Sequence, residues 1–336
     1  MVIINMLALL LLRTLAGVQA DEYCRGLALE GGGSLGAYQA GALLALTQLL
    51  SPPEVEWNVV SGISTGSLNA AGVSLFPMGQ EADMAQFIQD VWLSLDGSAS
   101  VYEDWNALGA PYGLLFESGM YSTEPLRQTI TQKVTHPPYR NVTLGSTDLN
   151  TGHFATFNES MGLDIVEAVM CSAAPPLYFP PQSFQGTYWA DGGCVLNLDV
   201  FSAVKRCLDV VPDESHIIID MIFCTGDNLP PLSVNPSVYE VKTRASDISS
   251  YDSAMWYAYA AMQAYPDINF RYTIIPSQNM PRGGLIPLDF NSTSLEAEIA
   301  LGQSDVARIL GELHRPRDLA EEWKQKRYNK ARTFRR

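Results

Sequence analysis

Ser64 stands in the sequence GISTG, between Gly62 and Gly66, and this setting is typical of a catalytic nucleophile. In the pattern G-x-S-x-G, the serine lies on a tight turn from a strand to a helix, and the turn projects its hydroxyl above the edge of a sheet. The two glycines relieve crowding in that strained turn. The pattern also occurs in ordinary glycine turns, but here a predicted strand at residues 56–61 precedes it and a predicted helix at residues 67–73 follows it. We therefore predict that Ser64 attacks a carbonyl carbon.

A second glycine-rich segment, GGGSLG at residues 31–36, lies between a predicted strand at residues 24–30 and a predicted helix at residues 37–50. Its spacing matches the dinucleotide fingerprint G-x-G-x-x-G, which needs an acidic residue at the end of the second strand to bind the ribose. Here Glu54 and Glu56 lie at the beginning of that strand. Because the acid is at the wrong end, we set the nucleotide-binding interpretation aside.

The same glycine loop can instead form an oxyanion hole. Attack on an ester carbonyl places negative charge on its oxygen, and donors already aimed at that oxygen stabilise the charge. We predict that Gly31, Gly32 and Gly33 supply backbone N–H groups at the positive end of the following helix, where Gly36 completes the motif. Since this loop and the Ser64 turn follow neighbouring parallel strands, both are expected at the same edge of the sheet.

A serine hydroxyl needs a base to take its proton, and one candidate for that base is Asp191. It stands in WADGG, where a short apolar strand ends in Gly192 and Gly193, so its carboxylate can lie at the edge of the sheet with its flanks clear. A Ser–Asp–His triad of the α/β-hydrolase type is the alternative, although several strands normally precede the nucleophile in that fold. The candidate histidines of that triad are His136, His153, His216 and His314.

The elements around these motifs predict the fold. A strand–helix–strand–helix order over the first 73 residues is typical of a parallel sheet covered by helices. The helix at 253–265 is rich in aromatic residues and methionine, and we expect it to pack in the core, with a lining for acyl chains as the alternative. Further helices are predicted at residues 84–95, 125–134 and 163–172, and strands at residues 142–147, 153–157, 216–224 and 271–275.

In their order along the chain, the glycine loop, the Ser64 turn and the Asp191 turn resemble the patatin-like phospholipases. The resemblance extends from about Leu27 to Asn197. It implies a three-layer α/β/α sandwich with a mainly parallel central sheet, and a Ser64–Asp191 dyad that forms an acyl-enzyme intermediate without metal or cofactor. It also implies cleavage of fatty-acyl esters by a phospholipase A, a lysophospholipase or an acylglycerol lipase. The secondary similarities lie at residues 38–41, 147–152, 172–175, 179–181 and 197.

Two places depart from the family pattern. After Asn197 the chain has Leu198 and Asp199 where the family usually continues toward proline, and we interpret this as a variation in a loop. Many patatin-like proteins carry a basic residue in the glycine loop where this chain has Leu35. The missing cation bears on whether a phospholipid or a neutral lipid is preferred. A non-catalytic lipid-binding or storage protein of the same fold is a further hypothesis, and the intact Ser64, Asp191 and glycine loop weigh against it.

The charge is strongly acidic and uneven along the chain. A formal net charge of −15 argues against nucleic acid as a partner, because neutralising phosphates requires Lys and Arg. We predict one hydrolase domain at residues 21–314, followed by a basic and helical tail at residues 315–336 with nine basic and three acidic residues. The tail is expected to be a solvated terminus, with contact to an anionic membrane or partner as the alternative. A peripheral contact with a lipid surface is expected for an enzyme of this class.

The first twenty residues predict entry into the secretory pathway. Residues 1–12 are almost wholly apolar, and Val18 and Ala20 are the small residues that a signal peptidase recognises. A cleaved signal peptide at residues 1–20 fits this pattern, and a signal anchor is the alternative, since Arg13 interrupts the end of the apolar run. We therefore expect a secreted or lumenal protein, as in a lysosome-like compartment.

Other residue types give weaker indications about the compartment and about metals. No Cys/His cluster has the spacing of a zinc site, so no structural metal is predicted. The five cysteines, at positions 24, 171, 194, 207 and 224, do not define a disulfide connectivity. The candidate glycosylation sites are the sequons at Asn141, Asn158 and Asn291.

Overall fold

The computed structural model describes residues 23–280, 282–283, 286–312 and 316–333, and the predicted signal peptide at residues 1–20 lies outside them. One eight-stranded sheet forms the centre of the protein. Its strands are β1 (Cys24–Leu29), β2 (Val59–Ile63), β3 (Asn141–Asp148), β4 (Phe154–Asn158), β5 (Gln182–Phe184), β6 (Thr187–Asp191), β7 (Ile217–Ile222) and β8 (Asn269–Ile274).

Helices cover both faces of this sheet. They are α1 (Gly36–Leu49), α2 (Thr65–Ser74), α3 (Glu81–Leu93), α4 (Ala110–Phe116), α5 (Glu124–Lys133), α6 (Ile165–Ser172), α7 (Val200–Leu208), α8 (Val238–Ala264), α9 (Ser292–Gly311) and α10 (Pro316–Thr333).

The order of the strands is β5-β6-β3-β2-β1-β7-β8, with β4 paired to β3 off this path. Strands β3, β2, β1, β7 and β8 are parallel to one another, whereas β4, β5 and β6 run antiparallel to their neighbours. Strands β1, β2 and β7 are buried almost throughout, as expected for parallel strands covered on both faces. The predicted three-layer sandwich with a mainly parallel sheet is therefore confirmed.

Two apolar cores lie on the two faces of the sheet. Helices α1, α2, α3, α6 and α9 pack in one core, with Tyr38 and Trp57 among its largest buried side chains. Helices α7, α8 and α10 pack in the other. The aromatic and Met-rich segment at 253–265 belongs to α8, and it buries Met255 and Met262 in this second core. The prediction that this segment packs in the core is confirmed.

Some element boundaries differ from the predictions. Strand β2 starts at Val59 rather than at residue 56, and it runs to Ile63, directly before Ser64. The loop before β2 is fixed to β1, because the Asn58 side-chain oxygen accepts a hydrogen bond from the Arg25 amide (2.8 Å). Helix α8 starts fifteen residues before the predicted segment, at Val238. Helices α4, α7 and α9 and strand β5 were not predicted.

The basic tail packs against the domain. In α10, Ala320 and Trp323 are buried against α8 and β8, and the Trp323 indole N–H donates to Asp252 (3.1 Å). The cations Lys326 and Arg327 form ion pairs with Asp227 and Asp252. The described part of the tail is thus not a free solvated terminus, and these two charges are used within the protein. Among the described helices, none combines the length and the apolar character needed to cross a membrane.

Candidate active site

Ser64 lies between β2 and α2 with φ 52° and ψ −121°, a conformation that only a constrained turn imposes on a residue with a side chain. The Ser64 amide donates to the Ser172 hydroxyl (3.0 Å), and this hydroxyl donates to the Gly145 carbonyl (2.6 Å). The turn is therefore fixed from α6 and β3 as well as by its own two ends. This is the strained strand-to-helix turn that the sequence predicts.

The two glycines beside Ser64 are required by close backbone packing. A Cβ atom at Gly62 would lie 2.1 Å from the Gly66 carbonyl oxygen, and one at Gly66 would lie 2.3 Å from the Leu29 carbonyl oxygen. Near Asp191, a Cβ atom at Gly192 would lie 2.5 Å from the Gly145 carbonyl oxygen. A side chain at Gly62 would open the Ser64 turn, one at Gly66 would push this turn away from β1, and one at Gly192 would push the Asp191 turn away from β3.

The sheet register places Asp191 at the end of the strand that carries Ser64. Ile63 of β2 pairs with Gly145 of β3, and the next residue of β3, Ser146, pairs with Asp191 of β6. Strand β3 pairs with β4 along one edge, including at Ser146. Strands β2 and β6 therefore both pair with the other edge of β3, β2 with its first part and β6 with its last residues. The two strands meet end to end, which brings the Asp191 carboxyl to the Ser64 hydroxyl.

The Asp191 carboxyl is buried and retains capacity to accept a proton. Burial raises its pKa from 3.8 to about 6, although hydrogen bonds from the Ser64 hydroxyl and the Gly193 amide lower it. The Gly193 amide donates to Asp191 Oδ1 (2.7 Å) and so fixes the orientation of the carboxyl. A carboxylate with a pKa of about 6 is mostly ionised at neutral pH, yet it is more basic than an exposed aspartate.

The glycine loop faces the same place, but only two of its three predicted donors are available. The Gly31 amide donates to the Asn197 carbonyl (3.0 Å), so Gly31 is engaged in holding the loop and the prediction that it donates to an oxyanion is wrong. Within residues 23–280 and 286–312, no acceptor pairs with the amides of Gly32 and Gly33. Gly33 has a φ of +59°, a conformation that favours glycine, and a Cβ there would lie 1.9 Å from the Pro287 carbonyl oxygen.

A buried glutamate holds this loop in place. Glu30 follows β1 directly and accepts hydrogen bonds from the amides of Cys224 (2.6 Å) and Thr225 (3.1 Å) at the end of β7. It also accepts from the Thr225 hydroxyl (2.9 Å) and from the Asn197 side-chain amide (3.0 Å). Complete burial raises its pKa from 4.5 to about 7 despite these donors. Glu30 thereby joins β1, β7 and the segment after Asp191.

A cavity of about 400 Å³ opens from Ser64 and Asp191. At the catalytic end it is lined by the glycine loop, and beyond it by apolar side chains of α2, α3 and α5. The volume lies within the usual range for a small-molecule site. An acyl chain is the group that such a lining suits. The apolar lining includes Leu68, Ala71 and Leu75 of α2, Phe87, Ile88 and Val91 of α3, and Leu126 and Ile130 of α5.

Arg282 also lines this cavity, from the segment that covers the glycine loop. Its guanidinium forms an ion pair with Asp247, and both side chains are almost fully buried. Ser246 and Ser250 of α8 line the cavity beside it. A cation thus reaches the site from a different part of the chain than the glycine loop, whose Leu35 is buried in the core.

The histidines do not take part in the described site. His153 is exposed, and His136 and His216 are partly exposed at other places on the protein. None of these three lines the cavity, and His314 lies outside the described residues. In the described ranges, no group of three or more His, Cys, Asp and Glu side chains is arranged to hold a metal ion.

Three contributors to the site were not identified from the sequence: Ser172, Glu30 and Arg282. Ser172 appeared only as part of a family similarity, and Glu30 only as the last residue of a predicted strand. The available signal for Glu30 was an acidic residue at the end of an otherwise apolar buried strand, since a buried acid needs partners. Arg282 lies over two hundred residues from Ser64 along the chain, and no local pattern marks it.

An apolar cavity that ends at a strained serine and a buried carboxyl defines a class, the acyl-ester hydrolases. The comparison with known families is more specific. The model of the patatin-like phospholipase family matches residues 27–204, which is more than half of the chain. The chain therefore belongs to the patatin-like phospholipase family, and the resemblance inferred from the motifs is confirmed.

Individual relatives are distant. A cGAMP-activated phospholipase of Escherichia coli (strain TW11681) is 25% identical over 226 residues, covering 58% of this chain and 60% of the relative. An uncharacterised protein, R571, of Acanthamoeba polyphaga mimivirus is 25% identical over 194 residues, covering 54% and 62% respectively. The chain thus matches less than two thirds of the length of either relative. The crystal structure of VipD from Legionella pneumophila gives a TM-score of 0.41 and 13% identity, covering 87% of this chain and 67% of that one.

Proposed function

We propose that this protein is a phospholipid acyl hydrolase with a Ser64–Asp191 dyad. Asp191 accepts the hydroxyl proton while Ser64 Oγ bonds to the ester carbonyl carbon, and the carbonyl oxygen becomes an oxyanion. The amides of Gly32 and Gly33 stabilise that charge. When the C–O bond to the alcohol breaks, Asp191 returns the proton to the leaving oxygen, and water releases the fatty acid from the acyl-enzyme by the same steps.

The observation that carries this proposal is the end-to-end placement of β2 and β6. It brings one carboxyl to the strained serine, whereas no described histidine lines the cavity. A carboxylate with a pKa of about 6 is suited to take a proton near neutral pH. The free amides of the glycine loop then complete the three roles that ester cleavage needs.

Arg282 supports a phospholipid rather than a neutral lipid as substrate. Its guanidinium lies in the cavity wall and pairs with Asp247, and a guanidinium can donate to a phosphate oxygen as well as to a carboxylate. Ser246 and Ser250 also line this cavity. This cation would take the role of the basic residue that the glycine loop lacks at Leu35. The E. coli relative is named a phospholipase, which points to the same substrate class.

The test is an assay of purified protein on a short-chain ester, phosphatidylcholine, lysophosphatidylcholine and diacylglycerol, together with labelling by a fluorophosphonate. We expect hydrolysis and labelling by the wild type, and loss of both in Ser64→Ala. Wild-type protein that neither labels nor hydrolyses any of these substrates would contradict the proposal and favour a lipid-binding protein. Normal turnover in Asp191→Ala would rule out the dyad.

The head group has its own variant. Arg282→Gln leaves the buried Asp247 without its partner, so turnover is measured per folded protein. On that basis we expect about a tenfold loss with phosphatidylcholine, the effect of losing one charge-assisted hydrogen bond, and little change for diacylglycerol. Arg244→Gln is the matched control, because Arg244 donates to the Pro230 carbonyl and does not line the cavity. Equal losses on both lipids would assign Arg282 a structural role and leave the substrate class open.

We also infer that the protein passes through the secretory pathway. The Cys24–Cys207 disulfide, which ties β1 to α7, supports an oxidising compartment, and the signal-like first twenty residues agree with it. Of the three sequons, Asn291 is the best candidate because its side chain is exposed, whereas Asn141 and Asn158 are partly buried. Endoglycosidase digestion of protein made in eukaryotic cells should shift its mass, and Asn291→Gln should remove that shift.

A further inference from the structure

Residues 105–116 form a surface segment that carries no charged side chain and exposes several large apolar ones. Leu108 and three residues of α4 (Leu114, Leu115 and Phe116) are between 52% and 75% exposed. Single exposed leucines are ordinary on a protein surface, but four large apolar side chains within nine residues form a patch that needs an occupant. We call residues 105–116 the apolar segment.

The apolar segment is held firmly from below. The Trp105 indole N–H donates to the Gly119 carbonyl (2.9 Å). Gly113 packs so closely on the following turn that a Cβ atom there would lie 2.3 Å from the Met120 carbonyl oxygen. The rings of Tyr112 and Phe116 pack at 5.2 Å between centroids. The exposed side chains are therefore presented by an ordered element, and their exposure does not come from fraying.

The apolar segment continues into the rim of the cavity. The amides of Met120 and Tyr121 donate to the carbonyls of Leu177 (2.9 Å) and Tyr178 (3.0 Å). Tyr178 lines the cavity, and so does its exposed neighbour Pro176, while Leu177 between them points an exposed side chain outward. A flat apolar body that covers α4 would thus also cover the entrance that leads to Ser64.

We propose that the apolar segment docks the protein onto a zwitterionic lipid surface, with Leu115 and Phe116 inserted among the lipids. The inference rests on the proposed function, because a hydrolase with this cavity must take its substrate out of a lipid aggregate. Charge decides which surface. The segment is uncharged, Asp104 and Glu117 flank it, and the chain carries a net charge of −15, so an anionic membrane would repel it.

Docking can be measured without catalysis. Ser64→Ala protein is mixed with phosphatidylcholine vesicles, and the bound fraction is determined by flotation for Ser64→Ala alone and with Leu115→Glu or Phe116→Glu added. We expect each added charge to weaken binding at least about tenfold, because an apolar side chain is replaced by a charge that must stay in water. Leu49→Glu is the matched control, since Leu49 is also exposed but lies at the end of α1 that points away from the site.

A second measurement separates docking from chemistry. With Ser64 intact, Leu115→Glu and Leu49→Glu should both hydrolyse a soluble, monomeric ester at the wild-type rate, and only Leu115→Glu should be slow on vesicles. Vesicle binding that is unchanged by Leu115→Glu and Phe116→Glu would overturn the docking proposal. A wild-type protein that does not bind vesicles would overturn it too. If sedimentation shows that the wild type is a dimer and that Leu115→Glu dissociates it, the surface binds a second copy of the chain instead. If the wild type does not hydrolyse the soluble ester, the proposed function is contradicted. The vesicle-binding measurement does not depend on that result, because it uses the Ser64→Ala protein.

Discussion

Two buried carboxyl groups lie at the edge of the sheet where the parallel strands end, and they differ in what surrounds them. Asp191 accepts one backbone hydrogen bond, from Gly193, and its remaining capacity faces the Ser64 hydroxyl. Glu30 accepts four hydrogen bonds, which occupy both of its oxygens. Burial raises both pKa values, to about 6 for Asp191 and about 7 for Glu30.

This difference shows which carboxyl can act as a general base and which can only stabilise the fold. A general base must have an oxygen free to take a proton from the nucleophile, and Asp191 does. Both Glu30 oxygens are enclosed by donors, and of these only the Thr225 hydroxyl can reverse and accept a hydrogen bond. A raised pKa alone would not separate the two groups; their hydrogen-bond partners do.

The largest effect is expected from Asp191→Asn. Loss of the base should lower kcat on a soluble ester by about 100- to 10,000-fold. Folding should not suffer, because the asparagine carbonyl can still accept from the Gly193 amide and its NH₂ group can donate to the Ser64 hydroxyl. Activity within a few-fold of wild type would show that Asp191 is not the base.

The stability of Asp191→Asn has a defined sign. In the folded chain Asp191 binds its proton more tightly than in the unfolded chain, so its contribution to stability is full below pH 3.8 and is lost as pH rises through about 6. At pH 8 the variant avoids burying that charge and should be more stable than wild type, by up to roughly 3 kcal/mol. Denaturant unfolding at pH 8 and at pH 4 measures the difference, which should nearly vanish at pH 4.

Glu30→Gln should gain less stability than Asp191→Asn at pH 8 and should lower the rate less. Relief from burying the Glu30 charge, whose pKa is raised to about 7, is offset by lost hydrogen bonds. Each carboxyl oxygen of Glu30 accepts two hydrogen bonds, so the NH₂ group of the glutamine must face two donors. A donor that faces another donor stays unsatisfied, and a buried unsatisfied donor costs about 1 to 3 kcal/mol. The glycine loop then shifts, and we expect about a tenfold loss in kcat with folded protein retained. A gain in stability at pH 8 as large as that of Asp191→Asn would show that the two carboxyls are equivalent after all.

The sequence correctly predicted the two turns whose shape depends on residues close together in the chain. Gly62 to Gly66 and the Asp191 turn each combine a strand end with glycines whose packing tolerates no side chain, and this need is visible as residue type. The layers of the fold followed from the strand–helix order and from the family resemblance. The interpretation of residues 198–199 as a loop variation was wrong, because Asp199 is the N-cap of helix α7. Its side chain accepts a hydrogen bond from the Ser202 amide (3.0 Å).

Contacts between residues that lie far apart along the chain could not be predicted from the sequence. The Gly31 amide pairs with Asn197, and Glu30 pairs with Thr225, almost two hundred residues away. Neither partner is marked by a repeating pattern, since each pairing depends on which strands become neighbours. The end-to-end placement of β2 and β6 is of the same kind, because the sequence predicts each strand but not that one ends where the other begins.

The pH dependence of the wild type should sharpen the contrast between the two carboxyls. On a soluble ester, kcat/KM should rise as Asp191 loses its proton near pH 6, because only the ionised carboxylate can accept one from Ser64. Ionisation of Glu30 near pH 7 should add a second, smaller rise, since the ionised form accepts from all four donors. Glu30→Gln should retain the first rise and lose the second. A single rise unchanged by Glu30→Gln would remove Glu30 from the control of rate.

The smallest predicted effect concerns one donor to Glu30. Thr225→Val removes the hydroxyl that lowers the pKa of Glu30, while both amide donors and Asn197 remain. The second rise in the pH profile should therefore move upward by about one unit, the equivalent of one hydrogen bond to a charged group, and the first should stay near pH 6. Thr273→Val is the control, because Thr273 is equally buried, and its hydroxyl has no partner among the described residues. If Thr225→Val moved the lower rise instead, the assignment of the two ionisations to Asp191 and Glu30 would have to be exchanged.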